Sequence, residues 1–152
     1  MDIKKYWIIL AIAWISFCIV SCGGDDDDND NTNESTITEI DPEGTIITNL
    51  THNSSFYLSG TNIYIQMWTN TNFGFTHGPQ VAVVGKVKGL GYIKTVPQSG
   101  WTDQVAAIPG YGYVVRSNDT FVRIYVVEYI TTSTNDIKGC TLKYQVWHPT
   151  TE

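Results

Sequence analysis

The sequence predicts an all-β fold, an antiparallel β-sandwich or barrel of about 7–9 strands. Three observations carry that reading. From Thr45 onward no apolar pattern of helical period persists. Val, Ile, Thr, Tyr and Trp gather instead in short runs whose side chains alternate between two faces. Gly, Pro and Asn-Asp pairs interrupt those runs at short intervals, which favours antiparallel neighbours joined by tight turns.

The runs follow in order. "TIITNL" (45–50) opens the domain, and "SSFYLS" (54–59) ends at Gly60-Thr61-Asn62, a hairpin turn. "IYIQMWTN" (63–70) sets Ile63, Ile65 and Met67 on one side, with Tyr64, Gln66 and Trp68 on the other. "PQVAVVGKVK" (79–88) reads as a buried strand interrupted at Gly85. "YIKTV" (92–96) reads as a strand that stops at Pro97, whose missing N–H cannot join a central ladder. "DQVAAI" (103–108) stops at Pro109 for the same reason. "GYVVRS" (112–117) leads through Asn118-Asp119 into "TFVRIYVVEYITT" (120–132), the longest strand, and "CTLKYQVWH" (140–148) is the last. On the long strand Val122, Ile124, Val126, Glu128 and Ile130 share a face that points into the core until Glu128. Phe121, Arg123, Tyr125, Val127 and Tyr129 share the opposite, outer face.

Residues 45–152 are the right size for one domain and leave no room for a second. What precedes them is different in kind. Residues 22–44 carry nine acids, no Lys or Arg, and no large apolar group before Ile37. Such a segment cannot bury enough surface to offset its ordering entropy, so a disordered acidic tether is expected. Before it, Lys4 and Lys5 precede an apolar run from Tyr6 to Val20, closed by Ser21 and Cys22. The run is shorter than a membrane span needs and is followed by acids, so residues 1–21 read as a cleaved signal peptide.

Ile19-Val20-Ser21-Cys22 resembles the bacterial lipobox, and the resemblance implies diacylation of Cys22 followed by cleavage in front of it. More than one acyl chain makes release from a membrane negligible, because each buried methylene adds ~0.8 kcal/mol. Asp25, Asp26, Asp27 and Asp28, with Asp30, resemble the export signal that sends lipoproteins of Bacteroidota to the outer face of the outer membrane. The same acids also suit an extended spacer that holds a domain off the bilayer.

The acidity of the chain therefore belongs to the tether. Residues 45–152 hold seven Lys and Arg against five Asp and Glu, without a basic cluster of the kind that neutralises phosphates, so nucleic acid is not an expected partner. The expected partners are the membrane, through the lipid anchor, and a glycan or another surface protein. Cys140 alone remains in the domain and reads as a buried, inert side chain.

Catalytic patterns are sparse. His52, His77 and His148 are isolated, with no HExxH and no CxxC, so no metal and no cofactor are expected. There is no GxSxG elbow, and Asp103 with Glu128 is a weak candidate for a carboxylate pair. Gly110-Tyr111-Gly112-Tyr113 lacks the Lys and the helix of a phosphate loop. Aromatic residues are the remaining chemistry. Flat amphipathic rings stack on sugar C–H faces and also serve protein interfaces, although sandwiches use the same residues for packing. Trp101, in the loop "PQSGWTD", is the first candidate for ligand contact, and Tyr111 and Tyr113 follow.

Residues 84–116, with Gly89-Leu90-Gly91, Gly100-Trp101 and Gly110-Tyr111-Gly112-Tyr113-Val114, and residues 122–145 resemble a family of small Bacteroidota surface lipoproteins classed as a domain of unknown function. Asn135-Asp136 stands where that pattern has a glycine-rich turn. The resemblance implies an outer-membrane, lipid-anchored protein on the cell surface of a Gram-negative bacterium, and it transfers no catalytic residues. The functional expectation is a non-catalytic binding module, for glycans or as a docking protein of a surface assembly.

Overall fold

A computed structural model describes residues 41–149. The signal peptide, Cys22, the Asp25–Asp28 block and residues 22–40 of the tether lie outside the described residues. Among the described residues nine strands form two antiparallel sheets, the sandwich of the two architectures expected. The larger sheet has the order β1-β9-β8-β7-β5 and the smaller β2-β3-β4-β6. The strands are β1 (Ile46–Thr51), β2 (Ser55–Tyr57), β3 (Tyr64–Thr69), β4 (Asn72–Phe75), β5 (Gln80–Lys86), β6 (Gln104–Ala106), β7 (Tyr111–Ser117), β8 (Thr120–Thr131) and β9 (Ile137–Trp147).

Alternation places the core. Ile63, Ile65 and Met67 turn inward and are buried, and Tyr64, Gln66 and Trp68 turn outward, as the sequence pattern requires. They meet Val122, Ile124 and Val126 of β8, Leu142 and Cys140 of β9, and Tyr113 and Val115 of β7 in one cluster. Phe73 and Phe75 of β4 pack edge to face within it, with ring centroids 6.1 Å apart. Each fully buried Val, Leu, Ile or Phe contributes roughly 1.5–3 kcal/mol. The close approach at Gly139 helps seat β1 on β9: a Cβ there would stand 2.2 Å from the Leu50 carbonyl oxygen.

The turns follow their residue types. Asn118 takes φ 51 in the two-residue link between β7 and β8, and Asn135 takes φ 65 between β8 and β9. Asn tolerates this left-handed region better than other L-residues, so Asn135 can serve where a glycine would otherwise be needed.

Four elements differ from the sequence expectation. "YIKTV" is not a strand. Leu90–Tyr92 forms a 3₁₀ turn, and Leu90 and Ile93 are fully buried against Val114 on the outer face of the larger sheet. Ile93 seats where Gly112 leaves a gap, since a Cβ at Gly112 would come within 2.8 Å of its Cδ1. The Ile93 carbonyl accepts a hydrogen bond from Arg123 Nη1 at 3.0 Å rather than from a ladder.

The run at 79–88 is an edge strand rather than a buried one. Val81 and Ala82 are buried, but Val83 is 47% and Val84 36% exposed beside a register shift that ends at Gly85. β4 was not expected. On β8, the pairing slips between Val126 and Glu128, so that Tyr129 pairs with Cys140 and packs on the core instead of sharing the outer face with Phe121 and Arg123. The folded body also reaches back past Thr45. Thr45 N–H and Oγ1 donate to the Pro42 carbonyl, Gln145 Nε2 donates to the Glu43 carbonyl, and Lys143 pairs with Asp41 at 2.9 Å.

Candidate functional site

The three aromatic residues singled out by the sequence do not converge on one surface. Tyr113 is fully buried in the core. Its hydroxyl donates to the Ala106 carbonyl at 2.7 Å and accepts from Ile108 N–H at 3.0 Å. Burial pushes its pKa up to about 12. With no exposed surface and its hydroxyl engaged, Tyr113 is a packing residue and not a ligand contact. Tyr111 sits on the same side of β7 and packs against the margin of the same core.

Trp101 belongs to the opposite side of β7. It packs against the outer cluster of Leu90, Ile93 and Val114. The Arg116 guanidinium lies 4.1 Å from its ring centroid and donates from Nε and Nη2 to Gln80 Oε1, at 3.2 and 2.6 Å. The loop tryptophan is thus accounted for by cation–π and apolar packing. Cys140 is a buried free thiol whose pKa burial raises to about 12, so it presents no nucleophile. Among the described residues no three His, Cys, Asp or Glu side chains are placed to hold a metal ion.

The open aromatic surface lies elsewhere. A cleft of about 480 Å³ is lined by Tyr57, Asn62, Tyr64, Thr76, His77, Pro79 and Ser117. Tyr57 and Tyr64 are cross-strand partners on the outer side of β2 and β3, with ring centroids 5.2 Å apart and planes tilted by 58°. Tyr57 is 65% exposed, the largest exposure of any large apolar or aromatic side chain among the described residues. Tyr64 is held from below, its hydroxyl hydrogen-bonded to Ser55 Oγ.

The link between β4 and β5 supplies Thr76 and His77, and the end of β7 supplies Ser117. His77 adopts φ 66, a region that non-glycine residues enter at some cost, and Gly78 follows at φ 116. The result is a concave site with one exposed ring, one fixed ring, and hydroxyl, amide and imidazole groups around them. Such a lining can stack on a flat apolar face while exchanging hydrogen bonds at its edge.

The sequence held a partial signal for this cleft. Alternation already sent Tyr64 outward, and a hairpin centred on Gly60-Thr61-Asn62 sets Tyr57 opposite it. What it could not show was that Thr76 and His77 arrive from the β4–β5 link and Ser117 from the end of β7. No protein-family model, no curated protein and no solved structure matches this chain.

Proposed function

We propose that this chain is a non-catalytic carbohydrate-binding module, carried on the cell surface by a lipid on Cys22 and an acidic tether. The reading of the anchor rests on the lipobox-like Ile19–Cys22 and the Asp25–Asp28 block, and on the resemblance to small Bacteroidota lipoproteins. The binding reading rests on one observation above others, the Tyr57 ring standing exposed beside Tyr64 in a cleft edged by Asn62, Thr76, His77 and Ser117. A pyranose laid on Tyr57 brings its hydroxyls to those polar groups.

A glycan array probed with the soluble domain, followed by calorimetry on any hit, tests this. Tyr57→Ala is expected to weaken binding about tenfold, the loss of one stacking contact. An array without a hit, or a hit indifferent to Tyr57→Ala, removes the cleft reading. Mass spectrometry of the mature terminus tests the anchor separately.

A second reading, docking onto another surface protein, is favoured by the edge of β5. Val83 and Val84 are exposed there, and beyond the Val81–Thr102 bridge that edge carries no further strand among the described residues. An unpaired edge with apolar side chains is a template for strand addition. Cross-linking on whole cells that captures one partner at stoichiometric yield, with sugars inert, would favour it.

A further inference from the structure

A second groove lies on the outer face of the larger sheet, away from the Tyr57 cleft. Its volume is about 810 Å³. One wall is the β8–β9 cross-strand pair Phe121 and Trp147. The other is the segment that covers the sheet, with Gly91, Lys94, Thr95, Val96 and Gln98. His148 and Pro149 close one end.

The two walls are tied together from beneath. Arg123 Nε donates to Gln145 Oε1 at 2.7 Å, and Nη1 donates to the Ile93 carbonyl at 3.0 Å. The same guanidinium lies 5.6 Å from the Trp147 ring centroid. Arg123 thereby fixes the distance between the covering segment and the aromatic wall. The groove is built, not left over between mobile parts.

Its chemistry differs from that of the cleft. Lys94 and His148 are exposed at its rim, and Thr95 and Gln98 add neutral hydrogen-bonding groups. Among the described residues no acidic side chain lines it, and Lys94 enters no ion pair. A single exposed lysine cannot follow a polyphosphate backbone, which needs a row of cations. A cation on the wall facing a flat ring, with amide and hydroxyl groups alongside, matches a smaller object that is part apolar, part hydroxylated and locally anionic.

We propose that this groove binds a carboxylated saccharide of the uronic acid class, with its C–H face on Trp147 and its carboxylate at Lys94. The site shares no residue with the Tyr57 cleft, so the two readings fail independently.

The test is calorimetric titration of the domain with tri-galacturonate and with the neutral galactotriose, at low and moderate salt. The acidic trimer is expected to bind at least tenfold more tightly than the neutral one and to weaken as salt rises. Lys94→Gln, an exposed change that leaves the fold alone, is expected to cost the acidic trimer about fivefold. Lys138→Gln, at an exposed lysine that lines neither site, is expected to leave it unchanged. Equal affinity for the two trimers, no binding at millimolar concentration, or indifference to Lys94→Gln would overturn the proposal.

Discussion

The two outer faces of the sandwich are treated in opposite ways. The larger sheet is roofed by its own β5–β6 connection, which buries Leu90 and Ile93 on Val114 and stacks Trp101 beneath Arg116. The smaller sheet carries no such layer among the described residues, and Tyr57 stands out from it into solvent. Both faces are rich in aromatic side chains. On the first, most aromatic area goes into packing under the cover, and only Phe121 and Trp147 at its margin still line the second groove. On the second face, aromatic area is left available, and rings of the same type are placed for contact with something else. Aromatic content alone therefore does not locate a binding surface; what the cover leaves open does.

This contrast can be tested at three levels. The largest effect belongs to the interior that both faces share. Burial raises Cys140 from the ordinary 9.0 to about 12 and Tyr113 from 10.0 to about 12. Well below pH 9 both groups are protonated whether the chain is folded or not. Above it the unfolded chain loses protons first while the native state retains them, so stability falls as pH rises towards 12. Urea titrations at successive alkaline pH values should show one cooperative loss of both sheets, and Cys140→Ala should flatten part of the decline. A pH-independent midpoint between 9 and 11 would contradict it.

The middle effect belongs to the roof. Ile93→Ala removes a fully buried side chain and should cost about 2–5 kcal/mol in chemical denaturation. Amide exchange should quicken from Val87 to Trp101 before it does in β8 and β9. A loss below about 1 kcal/mol would mean that the roof is not part of the cooperative structure.

The smallest effect belongs to the bare face. Tyr57→Ala should change stability by no more than about 0.5 kcal/mol, because its ring buries little. Should it cost as much as Ile93→Ala, the ring would be structural and the contrast between the faces would fail.

How much of this was legible beforehand depended on whether the information was local. β3 and the first half of β8 were readable because strict alternation fixes which side chains point inward. The turns at Asn118 and Gly60-Thr61-Asn62 were readable because turn chemistry is local as well. β4 was missed because "NFGF" is four residues long and contains a glycine, which weakens the strand pattern. "YIKTV" was misread because β-branched and aromatic residues signal burial against a pleated surface, and they do so equally well when lying across a sheet as when forming part of one. The slip between Val126 and Glu128 reverses the faces of the residues after it, which no period-two reading can foresee. The cleft was hidden for another reason: Tyr57, His77 and Ser117 come from the end of β2, the β4–β5 link and the end of β7, which are far apart in the sequence.

The pairing of β1 with β9 has a consequence for how the protein comes into being. Among the described residues the first strand finds its ladder partner in the last, so the larger sheet cannot close until β9 has been made. Until then only pairings of shorter sequence separation are available, and the entropically costly long-range closure is deferred until β9. Sheet closure therefore waits on the pairing that joins the two ends of the described strand order.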